Sequence, residues 1–192
     1  MNGNIKNDIA FFFKKPEELD DQESSYSTLF LLRRDIRTCF GFNPDTNCVI
    51  SYKALFPAVM AVSAGIDLLA KFACGDSEKV GPRYKCYIEQ YIDKNYSEVL
   101  FQLRNSLLHS FGIYSESNSK GHKKKVFRFL LNETGDRLVE QIDDERFCIN
   151  IRLLWEKFEA SIEVFHRDIL ESDELQQKFS KMFPKYGSIQ IY

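Results

Sequence analysis

The sequence predicts a mainly α-helical protein, a four- to five-helix up-down bundle with a small β-hairpin or three-stranded insertion before the last long helix. Three observations lead there. Apolar residues recur at helical spacing in several separate segments, most clearly over 54–74 and 150–169. Residues 125–149 switch to short alternating runs bounded by turn signals. No internal repeat or low-complexity tract breaks the layout, so 1–192 reads as a single domain.

Taken in order, residues 1–20 read as a loosely ordered lead-in ending in the acidic run EELDDQE. From about Ser24, Leu29, Leu32, Ile36 and Phe40 fall on one helical stripe, and Gly41 sits where a stop is expected. FGFNPDTNCVI carries loop signals. The stripe Leu55, Val59, Val62, Ile66, Leu69, Ala73 alternates steps of four and three, the seam of a packed helix ended by Gly75 and Asp76. A loop with Gly81 and Pro82 precedes a shorter helix bearing Tyr84, Tyr87, Ile88 and Tyr91. Ser97 is the expected N-cap of a helix over 97–111, with Glu98 favourable in its first turn and Gly112 closing it.

Residues 113–125 read as an exposed loop with a basic end. VFRFLL places Phe127, Phe129 and Leu131 on one side of a strand and Arg128 on the other. NETGD is a turn, and RLVEQI and RFCINI are further short strands, which together define the β insertion over 125–149. Helical period resumes with Ile151, Leu154, Phe158, Ile162, Phe165 and Ile169. Asp173 is the expected cap of a short final helix halted by Pro184, leaving 184–192 as a C-terminal tail.

Composition narrows the function classes. Hydrophobic residues make up 44%, with 17 Phe and 9 Tyr, enough for an aromatic core. A net charge of −2 and pI near 6.0 argue against nucleic-acid binding by bulk electrostatics, so any RNA contact must use a local patch. The five cysteines are odd in number and contain no CxxC pair, which disfavours a zinc ribbon or disulfide scaffold and favours a reducing cytoplasm. The N-terminus lacks the pattern of a signal peptide. The most hydrophobic stretch is interrupted by Pro57, Ser63, Asp67 and Lys71, so it reads as a core helix and not a membrane span. A cytoplasmic location without membrane contact is therefore expected. His109, His122 and His166 are scattered and no carboxylate set is spaced for a divalent ion, so neither metal nor cofactor is expected.

One segment, LRNSLLHSFG over 103–112, is unusual for a core helix. With Leu100 at the centre of the buried face, Arg104 lies only about 40° from it, inside the apolar stripe. Asn105 and His109, at i and i+4, lie about 140–180° round the axis. A guanidinium among leucines must find a carboxylate or a polar cleft. The far face would ordinarily meet solvent; if it is covered, a second subunit is the simplest cover.

Arg104, Asn105 and His109 in the spacing R-N-x-x-x-H, late in a bundle helix and followed by an aromatic, resemble the signature of the higher eukaryotes and prokaryotes nucleotide-binding (HEPN) superfamily. The resemblance is architectural over most of the chain and specific over about ten residues. Many members with this spacing have His-x-Tyr, whereas here Ser110 and Phe111 follow His109 and the tyrosine comes later, at Tyr114. That departure bears on regulation by a nucleotidyltransferase and leaves the Arg and His pair intact.

The resemblance implies a metal-independent endoribonuclease, with a non-catalytic interaction or nucleotide-binding module of the same fold as the alternative. A histidine of ordinary pKa about 6.5 can take the proton from a ribose 2′-hydroxyl or give one to the leaving 5′-oxygen. A guanidinium can brace the phosphate oxygens as charge builds. The products would be a 2′,3′-cyclic phosphate and a 5′-hydroxyl. Arg104, His109 and Asn105 are the expected catalytic residues, with Asp67 and Ser106 as support; Asp67 also has an ordinary alternative partner in Lys71. Lys123, Lys124, Lys125, Arg128 and Tyr114 are the expected RNA contacts. One imidazole cannot easily serve as both acid and base, so a homodimer through helix 97–111 is expected. A toxin or phage-defence setting, with an antitoxin or nucleotidyltransferase partner, follows from the same resemblance.

Overall fold

A computed structural model of the protein describes residues 3–15, 25–43, 48–49, 53–75, 79–110, 112–117 and 124–190. Among them it is mainly helical, with a small sheet region. The helices are α1 (Gly3–Phe12), α2 (Thr28–Cys39), α3 (Leu55–Cys74), α4 (Val80–Tyr91), α5 (Ser97–Ser110), α6 (Ile151–Glu171) and α7 (Asp173–Tyr186). The strands are β1 (Ser25–Ser27), β2 (Tyr114–Ser117), β3 (Lys125–Asn132), β4 (Val139–Gln141), β5 (Arg146–Asn150) and β6 (Ser188–Gln190).

The expected seam of α3 is the centre of the molecule. Val59, Val62, Ile66, Leu69 and Ala73 are buried, and α2, α4, α5, α6 and α7 all pack on this helix. Gly65 brings α6 close: a methyl group there would lie 2.5 Å from Phe158 Cζ. By length and composition α3 alone among the described residues is apolar enough to cross a membrane, but more than half of it is buried inside the bundle. Across the bundle, Arg33 on α2 pairs with Glu159 on α6 at 2.6 Å, and the Tyr87 and Ser161 hydroxyls meet at 3.1 Å.

Both ends of the chain depart from expectation. The first residues, expected as a loose lead-in, contain α1. Its helix is stabilised by burial of Ile9, Phe12 and Phe13, with the Phe12 ring 4.4 Å from Phe72 and 5.5 Å from Phe179. Residues 16–20 of that lead-in lie outside the described residues. The first long helix starts at Thr28 and not near Ser24, because Ser27 accepts from Phe30 N–H as its N-cap and 25–27 form β1. Pro184 does not halt α7, which runs to Tyr186 with Pro184 in its last turn, and 188–190 of the expected tail pair antiparallel with β1. Pro82 likewise lies in the first turn of α4 and not in a loop; the N–H that proline lacks has no helical partner so early.

Two capping expectations shift by one position. Ser97 is already inside α5 and its hydroxyl donates to Glu89 Oε1 at 2.6 Å. Ser172, not Asp173, caps α7 by accepting from Leu175 N–H.

The β region is larger than expected. It is a four-stranded sheet in the order β2-β3-β5-β4, and β2 comes from the segment expected as loop. β3 and β5 run parallel while β2–β3 and β4–β5 are antiparallel, so this is neither a hairpin nor a simple meander. Phe127, Phe129 and Phe147 bury its inner face and Arg128 points outward. Asn150 joins sheet to bundle: its Oδ1 accepts from Leu153 N–H to cap α6, and its Nδ2 donates to the Thr134 and Gly135 carbonyls at 3.1 and 3.0 Å. Asn150→Ala removes all three bonds at a buried position and should cost about 2 kcal/mol. Urea denaturation checks this, and a loss below about 0.5 kcal/mol would mean the joint is dispensable.

Candidate functional site

Arg104 lies in the apolar stripe of α5 between buried Leu103 and Leu107, as the spacing requires. Its guanidinium finds the carboxylate that burial demands. Arg104 Nη2 donates to Asp67 Oδ2 at 3.4 Å, and Arg83 of α4 holds the other oxygen of Asp67 more tightly, at 2.8 Å. Side-chain exposures of 12% for Arg104, 5% for Arg83 and 17% for Asp67 make this a largely buried Arg–Asp–Arg triad. Asp67 therefore does not form the surface pair with Lys71, whose ammonium lies 4.5 Å from the Tyr186 ring. Arg104 Nε is buried with no hydrogen-bond partner among the described residues.

The other end of the same guanidinium reaches the polar face. Arg104 Nη1 lies 3.2 Å from Asn105 Oδ1 and 3.1 Å from His109 Nε2. The angular separation around the helix is bridged by the length of the arginine side chain. A guanidinium has donors only, so His109 Nε2 must accept, and a neutral ring then carries its proton on Nδ1. His109 is exposed and Asn105 half-buried. Ser106 takes no part: it is buried on the core side and its hydroxyl donates to Leu103 O at 2.7 Å.

Asn105 and His109 open onto a cleft of about 670 Å³ between α5 and β2. The chain itself covers part of the far face of α5, since β2 lies beside it and Ser115 Oγ donates to the buried Gln102 at 2.6 Å. That cover needs no second subunit. Lys85 and Glu98 pair at 3.0 Å on the cleft wall. Burial pushes the Glu98 carboxyl up, but bonds from Gln102 and Lys85 outweigh it and hold the group below its ordinary range.

The residues expected to contact RNA sit on and behind β2. Tyr114 lines the cleft, half-exposed, and donates to Glu116. The register sets Arg128 opposite Tyr114, with its guanidinium 5.4 Å from the ring and an ion pair to Glu145. Lys124 pairs with Glu116 at 2.9 Å, and Lys125 lies over the Phe127 ring. Lys123 lies outside the described residues, as does His122. His166 is half-buried, stacked on Phe13 at 4.4 Å, and does not line the cleft.

Sequence reasoning missed Arg83. A signal was present, because Arg83 shares the apolar face of α4 with Tyr84, Tyr87 and Ile88, the same anomaly that marks Arg104. Among the described residues no group of three or more His, Cys, Asp or Glu is placed to hold a metal ion. No family model, curated protein or solved structure matches the chain.

Proposed function

We propose that the chain is a HEPN-type, metal-independent endoribonuclease of the cytoplasm that cleaves RNA by 2′-hydroxyl attack, in a toxin or phage-defence role. The observation that supports this most is the hydrogen bond between Arg104 and His109 at the rim of an open cleft, with Asp67 steadying the guanidinium from behind. An RNA phosphate entering the cleft would draw Arg104 off the imidazole, leaving His109 Nε2 free to take the 2′-proton while the guanidinium neutralises the phosphate oxygens. Asn105 would orient the ring or the phosphate.

A neutral His109 with Nε2 accepting is the base form, and the leaving oxygen still needs an acid. A second His109, from another copy facing the first across a twofold axis through α5, would supply it. The exposure of His109 leaves it accessible for such an arrangement. Lys124, Arg128 and Tyr114 would guide the strand, and an antitoxin or nucleotidyltransferase would restrain the activity.

The test is incubation of the purified chain with labelled single-stranded RNA in excess chelator, together with light scattering. A dimer releasing 2′,3′-cyclic phosphate and 5′-hydroxyl ends is expected. A monomer at micromolar concentration would remove the composite site, and ends of any other chemistry would remove the mechanism. A non-catalytic RNA- or nucleotide-binding module is the second reading, favoured by the engagement of Arg104 by both Asp67 and His109. Saturable binding without turnover would select it.

A further inference from the structure

Cys74, the last residue of α3, and Cys86, in the second turn of α4, bring their sulfurs to 3.4 Å of each other although twelve positions apart in sequence. Both are free thiols. Spacing alone concealed them, since no CxxC signals the pair and the approach is created by the packing of α4 against α3. Cys86 is exposed and Cys74 half-buried, so one sulfur is open to a reagent and the other waits behind it. A second cleft, of about 510 Å³, opens beside the thiols and is lined also by Gln90, Glu174 and Lys178. It has room for a small charged molecule.

We propose that Cys74 and Cys86 form a thiol–disulfide exchange site that takes a low-molecular-weight disulfide of the glutathione class and closes into an intramolecular bond. The Cys86 thiolate attacks one sulfur of the incoming disulfide, forming a mixed disulfide and expelling one small thiolate. Cys74 then loses its proton to solvent and attacks Cys86 Sγ, displacing the second small thiolate. Two protein thiols are oxidised to one disulfide and the small disulfide is reduced to two thiols. The sulfurs need only close from 3.4 Å to the bonded separation of about 2.0 Å, a change within reach of side-chain rotation.

The exposed residue is the natural point of attack. Burial, reinforced by the Cys86 thiol, pushes Cys74 up to about 12, which suits it to the second, intramolecular step, where proximity offsets a scarce thiolate. The closed ring would contain Arg83, the tighter partner of Asp67, so the bond would fix α4 against α3, the helix that carries Asp67.

The experiment uses the full chain. The reduced protein is incubated natively with oxidised glutathione, then denatured for thiol titration and peptide mapping. Two fewer than the five thiols, a Cys74–Cys86 peptide, and a melting temperature raised by several degrees and restored by dithiothreitol are expected. Cys86→Ser and Cys74→Ser should each abolish the linked peptide and the thermal shift, whereas Cys39→Ser should retain both. Five thiols remaining, a stable glutathione adduct on Cys86 with Cys74 free, or a bond joining two chains would each overturn the proposal. None of these outcomes depends on ribonuclease activity.

Discussion

His109→Ala is expected to lower the rate of single-stranded RNA cleavage by about 10²–10⁴-fold, the range for loss of a general acid or base. The ring is exposed and, among the described residues, bonded only to Arg104, so the variant should melt within about 1 °C of the parent. Arg104→Lys should be nearly as inactive. It keeps the charge, but a lysine cannot hold Asp67, Asn105 and the imidazole at once in one plane. Single-turnover assays in chelator, on protein purified to constant specific activity, separate a real loss from a contaminating nuclease. Parental rates in both variants would show that the chemistry lies elsewhere.

Asp67→Asn is expected to destabilise the fold by about 3 kcal/mol, the largest effect of any conservative change at the site. The replacement fits the same space. It removes a negative charge that two guanidiniums share, with side chains 5% and 12% exposed. Coulomb attraction that offset their desolvation is lost while the desolvation remains. Combining Asp67→Asn with Arg83→Met should recover part of the stability, because one of the two cations is then absent. Urea denaturation of the four proteins in this cycle decides the matter. A cost below about 1 kcal/mol for Asp67→Asn would mean that the triad is solvated in solution. This prediction holds whether or not the chain cleaves RNA.

How much of this was legible beforehand depended on whether a segment's partner lay within the same helix. The seams of α3 and α6 repeat over five turns or more, so their buried faces could be read directly. Arg104 could be placed on the apolar stripe by counting, and its need for a carboxylate followed from charge burial alone. What supplied that carboxylate was a question of tertiary distance, and Asp67 had an equally good neighbour in Lys71 four residues on. α1 was illegible because its stability comes from Phe72 and Phe179, far along the chain, and not from caps or a long stripe. β1 and β6 are three residues each, too short for alternation to register, and they exist only as each other's partner. The parallel pairing of β3 with β5 was equally hidden, since consecutive short strands suggest neighbours by default.

The aromatic cluster that anchors α1 has a bearing on biosynthesis. Phe12 and Phe13 are translated well over a hundred residues before Phe179, against which both rings pack. At ordinary elongation rates of about 5–20 residues per second, those two rings remain without that shelter for several seconds or longer. The nascent polypeptide thus displays a greasy segment that native docking cannot conceal until α7 emerges, the kind of surface that holdase chaperones bind.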